Sequence, residues 1–288
     1  MHASVTTSVR KMLGENPPRA SQLIVSIYGD IVEPRSGVLW MGNLIALCAG
    51  FDVNESLVRT AVSRLVTKGQ IMGRRQGRRS FYALTPAASA QYHEASDVFF
   101  GPLDDECNWI LCHCPIPPEQ LQLTQNGYAA LGGDMFLAAN RPERKCLGVA
   151  FDASAVASTQ EDLKKLAWSA FDLANLAEAY SGFVERLRTL PVAAKDVSDG
   201  EEAVTLRLAL IHAYRTIRFT DPRLPPSALP GDWSGHEAHK LFADVYCSLS
   251  GPADAYIGEN LLDDTGNLAK SPQSIDERLN SLSTRLRT

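Results

Sequence analysis

Apolar residues recur at helical spacing through the first third of the chain and then give way to short alternating runs. Over residues 19–97 this pattern predicts helix, helix, helix, strand, turn, strand and helix. The third helix begins after Asn54, a suitable N-cap, although Asp52 and Glu55 offer a capping box instead. Gly69 is a suitable left-handed terminator. The apolar stripe of this helix consists of Leu57, Val58, Ala61, Val62 and Leu65.

The opposite face of the third helix carries small hydroxyl residues interspersed with arginines. These residues are Ser56, Arg59, Thr60, Ser63, Arg64 and Thr67. Small side chains permit a close approach to base edges, and arginine contacts guanine or phosphate. A helix from Trp40 to Gly50 and a turn at 51–53 precede this helix, so the order is that of a helix-turn-helix.

Two strands follow, and the pattern places the turn between them at Gln76 and Gly77, because glycine tolerates a positive φ. Four arginines flank this turn: Arg74, Arg75, Arg78 and Arg79. Four guanidinium groups at one hairpin repel one another unless an anion lies nearby, and a phosphate backbone or a narrow minor groove provides one. Together with Lys68, the helix face and the hairpin predict a winged helix-turn-helix that binds duplex DNA. The alternative is a solvated basic hairpin on an ordinary α/β domain.

The charge distribution agrees with a basic DNA-binding module on an acidic body. Residues 1–96 contain 11 Lys and Arg against 6 Asp and Glu, a balance of +5. The remainder has 17 against 27, a balance of −10, which gives the net charge of −5. Phosphate attraction is local, because charges more than about 10 Å apart are largely screened in cellular salt. The overall acidity therefore does not exclude a DNA partner.

The sequence also predicts the cellular compartment of the protein. No apolar run approaches the roughly 20 residues that span a bilayer, and the N-terminus lacks the apolar core of a signal peptide. The six cysteines form no C-x-x-C pair, which is typical of a reducing compartment. We expect a cytoplasmic protein with no membrane partner.

Beyond residue 97 the pattern is mixed, so the fold class predicted is α+β. Strands are predicted at 108–113, 134–139 and 146–151, and helices at 119–127, 160–190, 200–218 and 235–249. The predicted domains are a flexible N-terminus (1–18), a winged helix domain (19–97), a middle domain with a long helix (98–190), a helical C-terminal domain (191–260) and a mobile tail (261–288). Pro191 is expected to end the long helix.

A proline-rich stretch over 221–232 is the candidate ligand site. Arg215, Arg218, Asp221 and Trp233 bracket it. Arginine binds phosphate or carboxylate and tryptophan stacks on aromatic or adenine rings, so these residues suit an acyl-coenzyme A. The alternative is an Arg–Asp ion pair that pins the loop, with Trp233 filling the core.

Catalytic and metal sites are not predicted. Cys112 and Cys114 provide only two thiolates on a strand and are expected to be free buried thiols, with His113 pointing away. His236 and His239 lack the spacing of the zinc-protease helix and are expected at an exposed helix start. No spacing singles out the carboxylates that a metal-dependent nuclease would need; the available ones are Asp104, Asp105, Asp134 and Asp152.

Several of these stretches together resemble the PaaX family, the repressors of phenylacetate-degradation operons. The resemblance lies in Leu23–Asp30, Val58–Ala61, Gly77–Tyr82 and Leu84–Pro86, in Trp168, Asp172–Leu173, Leu176 and Tyr180, and downstream in Leu206–His212, Arg218, Asp221–Pro222, Leu224–Pro225, Leu229–Pro230 and Asp232–Trp233. It runs through roughly residues 20–255.

The resemblance implies a homodimer that represses transcription and releases DNA when phenylacetyl-coenzyme A binds. It also implies a ferredoxin-like middle domain and a helical C-terminal domain. A dimer agrees with the size of one recognition helix, which covers only a few base pairs, so two copies would read a palindromic operator. No cofactor and no enzymatic activity are expected. A repressor for a different acyl or aromatic effector, an acyl-coenzyme A hydrolase and a metal-dependent nuclease remain the alternatives.

Overall fold

The computed structural model describes residues 3–14, 18–101, 106–156, 159–190 and 197–285. It contains helices and two antiparallel sheets, so the predicted α+β class is confirmed. The chain forms two compact units. Unit 1 is made of the described residues within 1–101, 183–216 and 239–288, and unit 2 of those within 102–182 and 217–238. No helix of the described residues is both long and apolar enough to cross a membrane.

The N-terminal part of unit 1 contains five helices and a three-stranded sheet in the order β1-β3-β2 among its described residues. Its elements are α1 (Ala3–Leu13), α2 (Ala20–Ile27) with a π-helical turn (Tyr28–Val32), β1 (Val38–Trp40), α3 (Met41–Ala49), α4 (Glu55–Thr67), β2 (Ile71–Gln76), β3 (Arg79–Leu84) and α5 (Pro86–Phe100). This order agrees with the prediction for 19–97, except that β1 was not predicted.

Local signals set the ends of α4 as predicted. The Asn54 side chain accepts a hydrogen bond from the Leu57 backbone N–H at 3.0 Å, so Asn54 is the N-cap. Gly69 has a φ of +66° beyond the other end. The apolar stripe is narrower than predicted, because Leu57 is 53% exposed. Four of its members are buried against the rest of unit 1: Val58, Ala61, Val62 and Leu65.

Unit 2 contains a four-stranded antiparallel sheet in the order β5-β6-β4-β7. Its elements are β4 (Trp109–His113), α6 (Pro117–Gln125), β5 (Ala129–Gly132), β6 (Met135–Ala139), β7 (Val149–Ala153), α7 (Gln160–Ala170) and a 3-10 turn (Pro226–Ala228). Strand β5 was not predicted, and β7 begins later than the predicted 146–151. Gly148 explains the later start, since it has a φ of +76° and a Cβ there would lie 2.3 Å from the His113 carbonyl oxygen.

The remaining helices are α8 (Leu173–Arg188), α9 (Gly200–Arg218), α10 (Gly235–Asn260) and α11 (Gln273–Arg285). The prediction of one helix over 160–190 was wrong, because Asp172 has a φ of +47° and separates α7 from α8. Helix α10 continues through Pro252 well beyond the predicted end at Leu249. Buried Leu249, Ala253 and Ile257 lie on one face of α10, so packing outweighs the hydrogen bond that the proline removes.

Both ends of the chain differ from the prediction as well. Residues 3–13, expected in a flexible N-terminus, form α1, whose Val9 and Met12 are buried. The segment expected as a mobile tail contains α11, with Ile275 and Leu282 buried. Sparse apolar residues can still anchor a helix when they share one face, and these two are seven positions apart. The C-terminal segment is therefore part of the folded body of unit 1 over its described residues.

A cluster of buried charges lies inside unit 1. Asp30 and Arg207 are both fully buried, and Arg207 Nε donates to Asp30 Oδ2 at 2.8 Å. Arg207 Nη1 donates to Asp254 Oδ1 at 2.8 Å, and so does Arg35 Nη2 at 2.8 Å. Arg278 Nη1 lies 3.2 Å from Asp30 Oδ1. We call these five residues the buried charge cluster.

The electrostatics of the buried charge cluster favour the ionised carboxylate. Burial alone would raise the pKa of Asp30, but the guanidinium groups of Arg207 and Arg278 lower the pKa below its usual value. The Tyr246 hydroxyl also donates to Asp30 Oδ1, at 2.8 Å. Asp30 therefore stays charged because several donors replace the water it has lost.

We predict that Asp30→Asn destabilises the protein by about 3–5 kcal/mol in urea unfolding at neutral pH, because it removes the carboxylate partner of buried Arg278 and one of the two carboxylate partners of Arg207. Asp97→Asn, on the exposed side of α5, is the control and should change the free energy of unfolding by less than about 0.5 kcal/mol. Because the folded-state pKa of Asp30 is lowered, its stabilisation is present above the unfolded-state value of about 4 and is lost as pH falls through the folded-state pKa. The free energies of unfolding of the wild-type protein and of Asp30→Asn should therefore converge in acid. Equal stability at neutral pH would contradict the role of this cluster.

Candidate nucleic-acid interface

The outer face of α4 is open to solvent. The exposed residues on it are Ser56, Arg59, Thr60, Ser63, Arg64 and Thr67, and Lys68 follows at the C-cap. Thr60 Oγ1 donates to the Ser56 carbonyl at 2.8 Å, and Thr67 Oγ1 donates to the Ser63 carbonyl at 3.0 Å. These threonines lie flat against the helix with their donors occupied, which keeps the face smooth.

The cations of this face differ in how they are paired. Arg59 forms an ion pair with Glu55 one turn earlier, with Nη2 and Oε1 2.7 Å apart. The side chains of Arg64 and Lys68 have no ion pair or hydrogen bond among the residues that the structure describes. Glu55 is the only acidic residue between Asn54 and Tyr82, against seven Lys and Arg, so the face as a whole keeps a strong positive charge.

The β2–β3 hairpin presents its arginines on different sides. Gln76 pairs with Arg79 in the ladder, so the turn consists of Gly77 and Arg78 rather than the predicted Gln76 and Gly77. Gly77 has a φ of +59°, as this tight turn requires. Arg74 lies opposite Phe81 in the register, and so does Trp40 of β1, which places the three side chains on one face of the sheet.

Each hairpin arginine also has its own surroundings. The Arg79 guanidinium lies 5.0 Å from the centre of the Trp40 ring, a cation–π contact. Arg75 Nε donates to the Gly77 carbonyl at 3.2 Å. Arg74 forms an ion pair with Asp264. Arg78, in the turn, has no such partner among the described residues. The repulsion expected among four equivalent arginines is therefore partly relieved within the protein, and Arg78 is the most available cation of the hairpin.

The proline-rich segment forms a shallow pocket within unit 2. It has an empty volume of about 330 Å³, including the open space at its mouth, and Arg218, Asp221 and Trp233 are among its lining residues. Arg218 Nη1 lies 3.6 Å from Asp221 Oδ2, and Tyr180 donates to the same oxygen at 2.7 Å. The Arg–Asp ion pair of the alternative interpretation is present, but Trp233 is half-buried and does not fill the core.

The fourth predicted ligand residue is placed differently. Arg215 belongs to unit 1 and does not line this pocket. Burial lowers the pKa of its guanidinium. The pocket also contains Arg223, which the motif analysis missed and which forms an ion pair with Glu143. Its φ of +52° carries no sequence signal, because arginine has no special preference for the left-handed region.

The cysteine and histidine predictions hold in part. Cys112 and Cys114 are fully buried while His113 is exposed, as the strand alternation predicts. His236 is exposed, but His239 is buried with its Nδ1 3.0 Å from the Tyr214 hydroxyl, so the prediction of an exposed site was wrong for His239. It lies on the inner face of α10, which the short His-x-x-His pattern does not reveal.

The carboxylates considered for a nuclease are bound by amide groups. Asp152 accepts hydrogen bonds from Asn108 at 3.1 Å and Asn140 at 3.0 Å, and Asp134 accepts one from Gln120 at 2.8 Å. Asp104 and Asp105 lie outside the described residues. Across the described part of the chain, no group of three or more His, Cys, Asp or Glu side chains is arranged to hold a metal ion.

Comparison with known proteins agrees with the resemblance in the motifs. The profile of the family described as PaaX-like protein matches residues 19–88, and that of the PaaX-like protein C-terminal domain matches residues 171–259. The chain is 28% identical over 289 aligned positions to the transcriptional repressor PaaX of Escherichia coli (strain K12), and the alignment covers 89% of each chain. The first matched segment contains α3, α4 and the hairpin, and the second contains α9 and the proline-rich segment. The chain therefore belongs to the PaaX-like protein family.

Proposed function

We propose that this protein is a DNA-binding transcriptional repressor whose α3, α4 and β2–β3 hairpin form a winged helix-turn-helix. The observation that carries the proposal is the exposed basic surface made by α4 and the hairpin of one compact unit. Between Asn54 and Tyr82 this surface has seven basic residues, and its single acidic residue is already paired with Arg59. A surface of this charge binds the phosphate backbone by releasing condensed counterions.

The geometry supports separate roles along this surface. Helix α4 would enter the major groove, where Ser56, Thr60 and Ser63 allow close approach and Arg64 reaches a guanine edge or a phosphate. Arg59 can also contact DNA by replacing its ion pair with Glu55 by an interaction with DNA. Arg78, at the hairpin turn, would contact the backbone or the minor groove beside it. Base-specific contacts thus come from the helix and sequence-independent contacts from the hairpin.

The relative from Escherichia coli is a transcriptional repressor. We assign the same role to this chain, with DNA binding at a promoter as the means of repression. We assign the target to an operon of aromatic, phenylacetate-type catabolism. A single α4 covers only a few base pairs, so a homodimer bound to a palindromic operator supplies the needed specificity.

We also assign a reduced ferredoxin-like arrangement to the sheet of unit 2. Strands β4, β5 and β6 with the crossover helix α6 match the first half of a β-α-β-β-α-β unit. The segment 140–148 that precedes β7 contains no helix, which departs from the full pattern.

The effector we propose is an aryl-acyl-coenzyme A such as phenylacetyl-coenzyme A. Trp233 offers a ring for stacking and Arg218 a cation for phosphate or carbonyl oxygen in the pocket of unit 2. Because this pocket is shallow and its volume includes open space at the mouth, it would hold only one end of such a molecule and leave the rest outside.

Replacing cations of the DNA surface tests the interface. Arg78→Ala should weaken binding to every duplex and reduce the slope of log K against log salt by about 0.9, the value of one phosphate contact. The specific duplex for this test is a promoter fragment that the wild-type protein protects in footprinting, called here the footprinted promoter fragment. If Arg64 contacts a base, Arg64→Ala should weaken binding to this fragment by about 1–3 kcal/mol and should weaken binding to random duplex less. Fluorescence anisotropy across a salt series measures both.

Lys165→Ala, which removes one exposed positive charge from unit 2, is the matched control and should leave the affinity and the slope unchanged. Equal behaviour of all three variants would contradict the assigned surface.

Effector release is tested by adding phenylacetyl-coenzyme A to the protein bound to the same fragment, with coenzyme A alone as control. We expect the affinity for DNA to fall at least about tenfold, a coupling in the usual range for allosteric proteins. Trp233→Ala should bind DNA normally but respond weakly, and Trp233→Phe should keep the response because it keeps an aromatic ring. An unchanged response in Trp233→Ala would place the effector elsewhere. No response of the wild type at saturation would remove the phenylacetate assignment and leave the repressor assignment standing.

A further inference from the structure

The chain that follows α10 folds back onto the proposed DNA-binding elements within unit 1. The Trp40 backbone N–H donates to the Leu262 carbonyl at 2.9 Å, and the Leu262 N–H donates to Asn43 Oδ1 at 2.9 Å. Asn43 Nδ2 in turn donates to the Asn260 carbonyl at 3.1 Å. Residues 260–262 are thus tied to β1 and to the start of α3, the first helix of the proposed helix-turn-helix.

The next residues form a small, well-bonded loop, 261–268, which we call the C-terminal loop. Its two ends are joined by a hydrogen bond from the Leu268 N–H to the Leu261 carbonyl at 2.9 Å. Asp263 Oδ1 accepts from the Thr265 N–H at 2.7 Å and from the Gly266 N–H at 2.9 Å. The Asp263 side chain therefore stabilises the C-terminal loop by internal hydrogen bonds, and Asp264 lies within this rigid loop.

Asp264 is the residue of this loop that reaches the hairpin. Its side chain is 6% exposed and pairs with Arg74 of β2, whose side chain is 66% exposed. A carboxylate removed from water is costly to leave without a partner, so burial of Asp264 favours keeping Arg74 beside it. Arg74 also shares its face of the sheet with Trp40, the residue that the C-terminal loop holds through its backbone.

We infer that Asp264 is a positioning residue for DNA binding: it holds Arg74, and through Arg74 the β2–β3 hairpin, at a fixed angle to α4. Arg74 therefore pairs with Asp264 rather than with a DNA phosphate. Arg78 contacts DNA from a hairpin whose position is fixed by that pair. This inference rests on the proposed function. Asp264 lies outside both segments matched by the family profiles, so the assignment concerns this chain's own C-terminal segment.

The test compares Arg74→Ala, Asp264→Asn and Arg78→Ala in anisotropy measurements across a salt series with the footprinted promoter fragment. Arg74→Ala and Asp264→Asn should each weaken binding by about 3- to 10-fold while leaving the salt slope unchanged, since neither removes a phosphate contact. The double variant should be no weaker than either single one, because both changes break the same pair. Arg74→Lys, which keeps the charge, should retain most of the affinity.

Two results would overturn the inference. One is a salt slope that falls by about 0.9 in Arg74→Ala, as expected for Arg78→Ala, because Arg74 would then be a phosphate contact. The other is tighter binding by Asp264→Asn, because the aspartate would then compete with DNA for Arg74. Failure of the proposed function would look different: the wild type would show no salt-dependent binding to any duplex. The charge-swapped variant Arg74→Asp with Asp264→Arg distinguishes loss of the ion pair from loss of folding. Its affinity for DNA should recover relative to the single variants, because the swapped residues can form the pair again.

Discussion

A carboxylate with no access to water must be matched by cations, and unit 1 is organised around this requirement at Asp30. Its partners, Arg207 and Arg278, come from α9 and α11, whereas Asp30 lies in the π-helical turn after α2. Arg35 joins through Asp254 of α10. Residues from both ends of the chain therefore have to be in place together, because the buried charge of Asp30 would be unmatched without Arg207 and Arg278.

This constraint explains why the proposed DNA-binding elements do not form a separate body. Unit 1 draws on the segments predicted as winged helix domain, C-terminal helical domain and tail. Tyr92 of α5 adds to the same contacts, since its hydroxyl lies 3.1 Å from Arg278 Nη2 and donates to the Gly29 carbonyl at 2.8 Å. Helices α9, α10 and α11 thus support α2 and α5, on which α4 and the hairpin depend for their orientation.

Where structure follows from local signals, the sequence predicted it well. Helix α4 has a cap at Asn54, a glycine terminator at Gly69 and an apolar stripe, and all three can be read within 16 residues of chain. The break between α7 and α8 at Asp172 was missed, and the continuation of α10 through Pro252 depends on buried residues along one face of the helix. Helix α11 was missed because its apolar residues are sparse and because Arg278 looks like a surface residue until Asp30 lies beside it.

The candidate interface shows the same division. Exposure of the cations on α4 could be predicted from helical periodicity, and the position of the hairpin from Gly77. The unequal surroundings of the hairpin arginines could not, because Trp40 and Asp264 reach Arg79 and Arg74 from other parts of the chain. In the pocket of unit 2, Arg218, Asp221 and Trp233 come together because the proline-rich segment folds back, whereas Arg215 belongs to unit 1.

The central claim is that α4 and the hairpin of unit 1 bind duplex DNA, and hydrogen–deuterium exchange with and without the footprinted promoter fragment tests it most directly. Backbone amides in the solvent-exposed turn at Gly77 and Arg78, and those at the N-terminus of α4, should exchange more slowly when DNA is bound. Amides in the sheet of unit 2, formed by β4, β5, β6 and β7, should not be protected by direct contact with DNA, so their exchange should not slow for that reason. Slower exchange confined to unit 2, with the turn and α4 unchanged, would contradict the account.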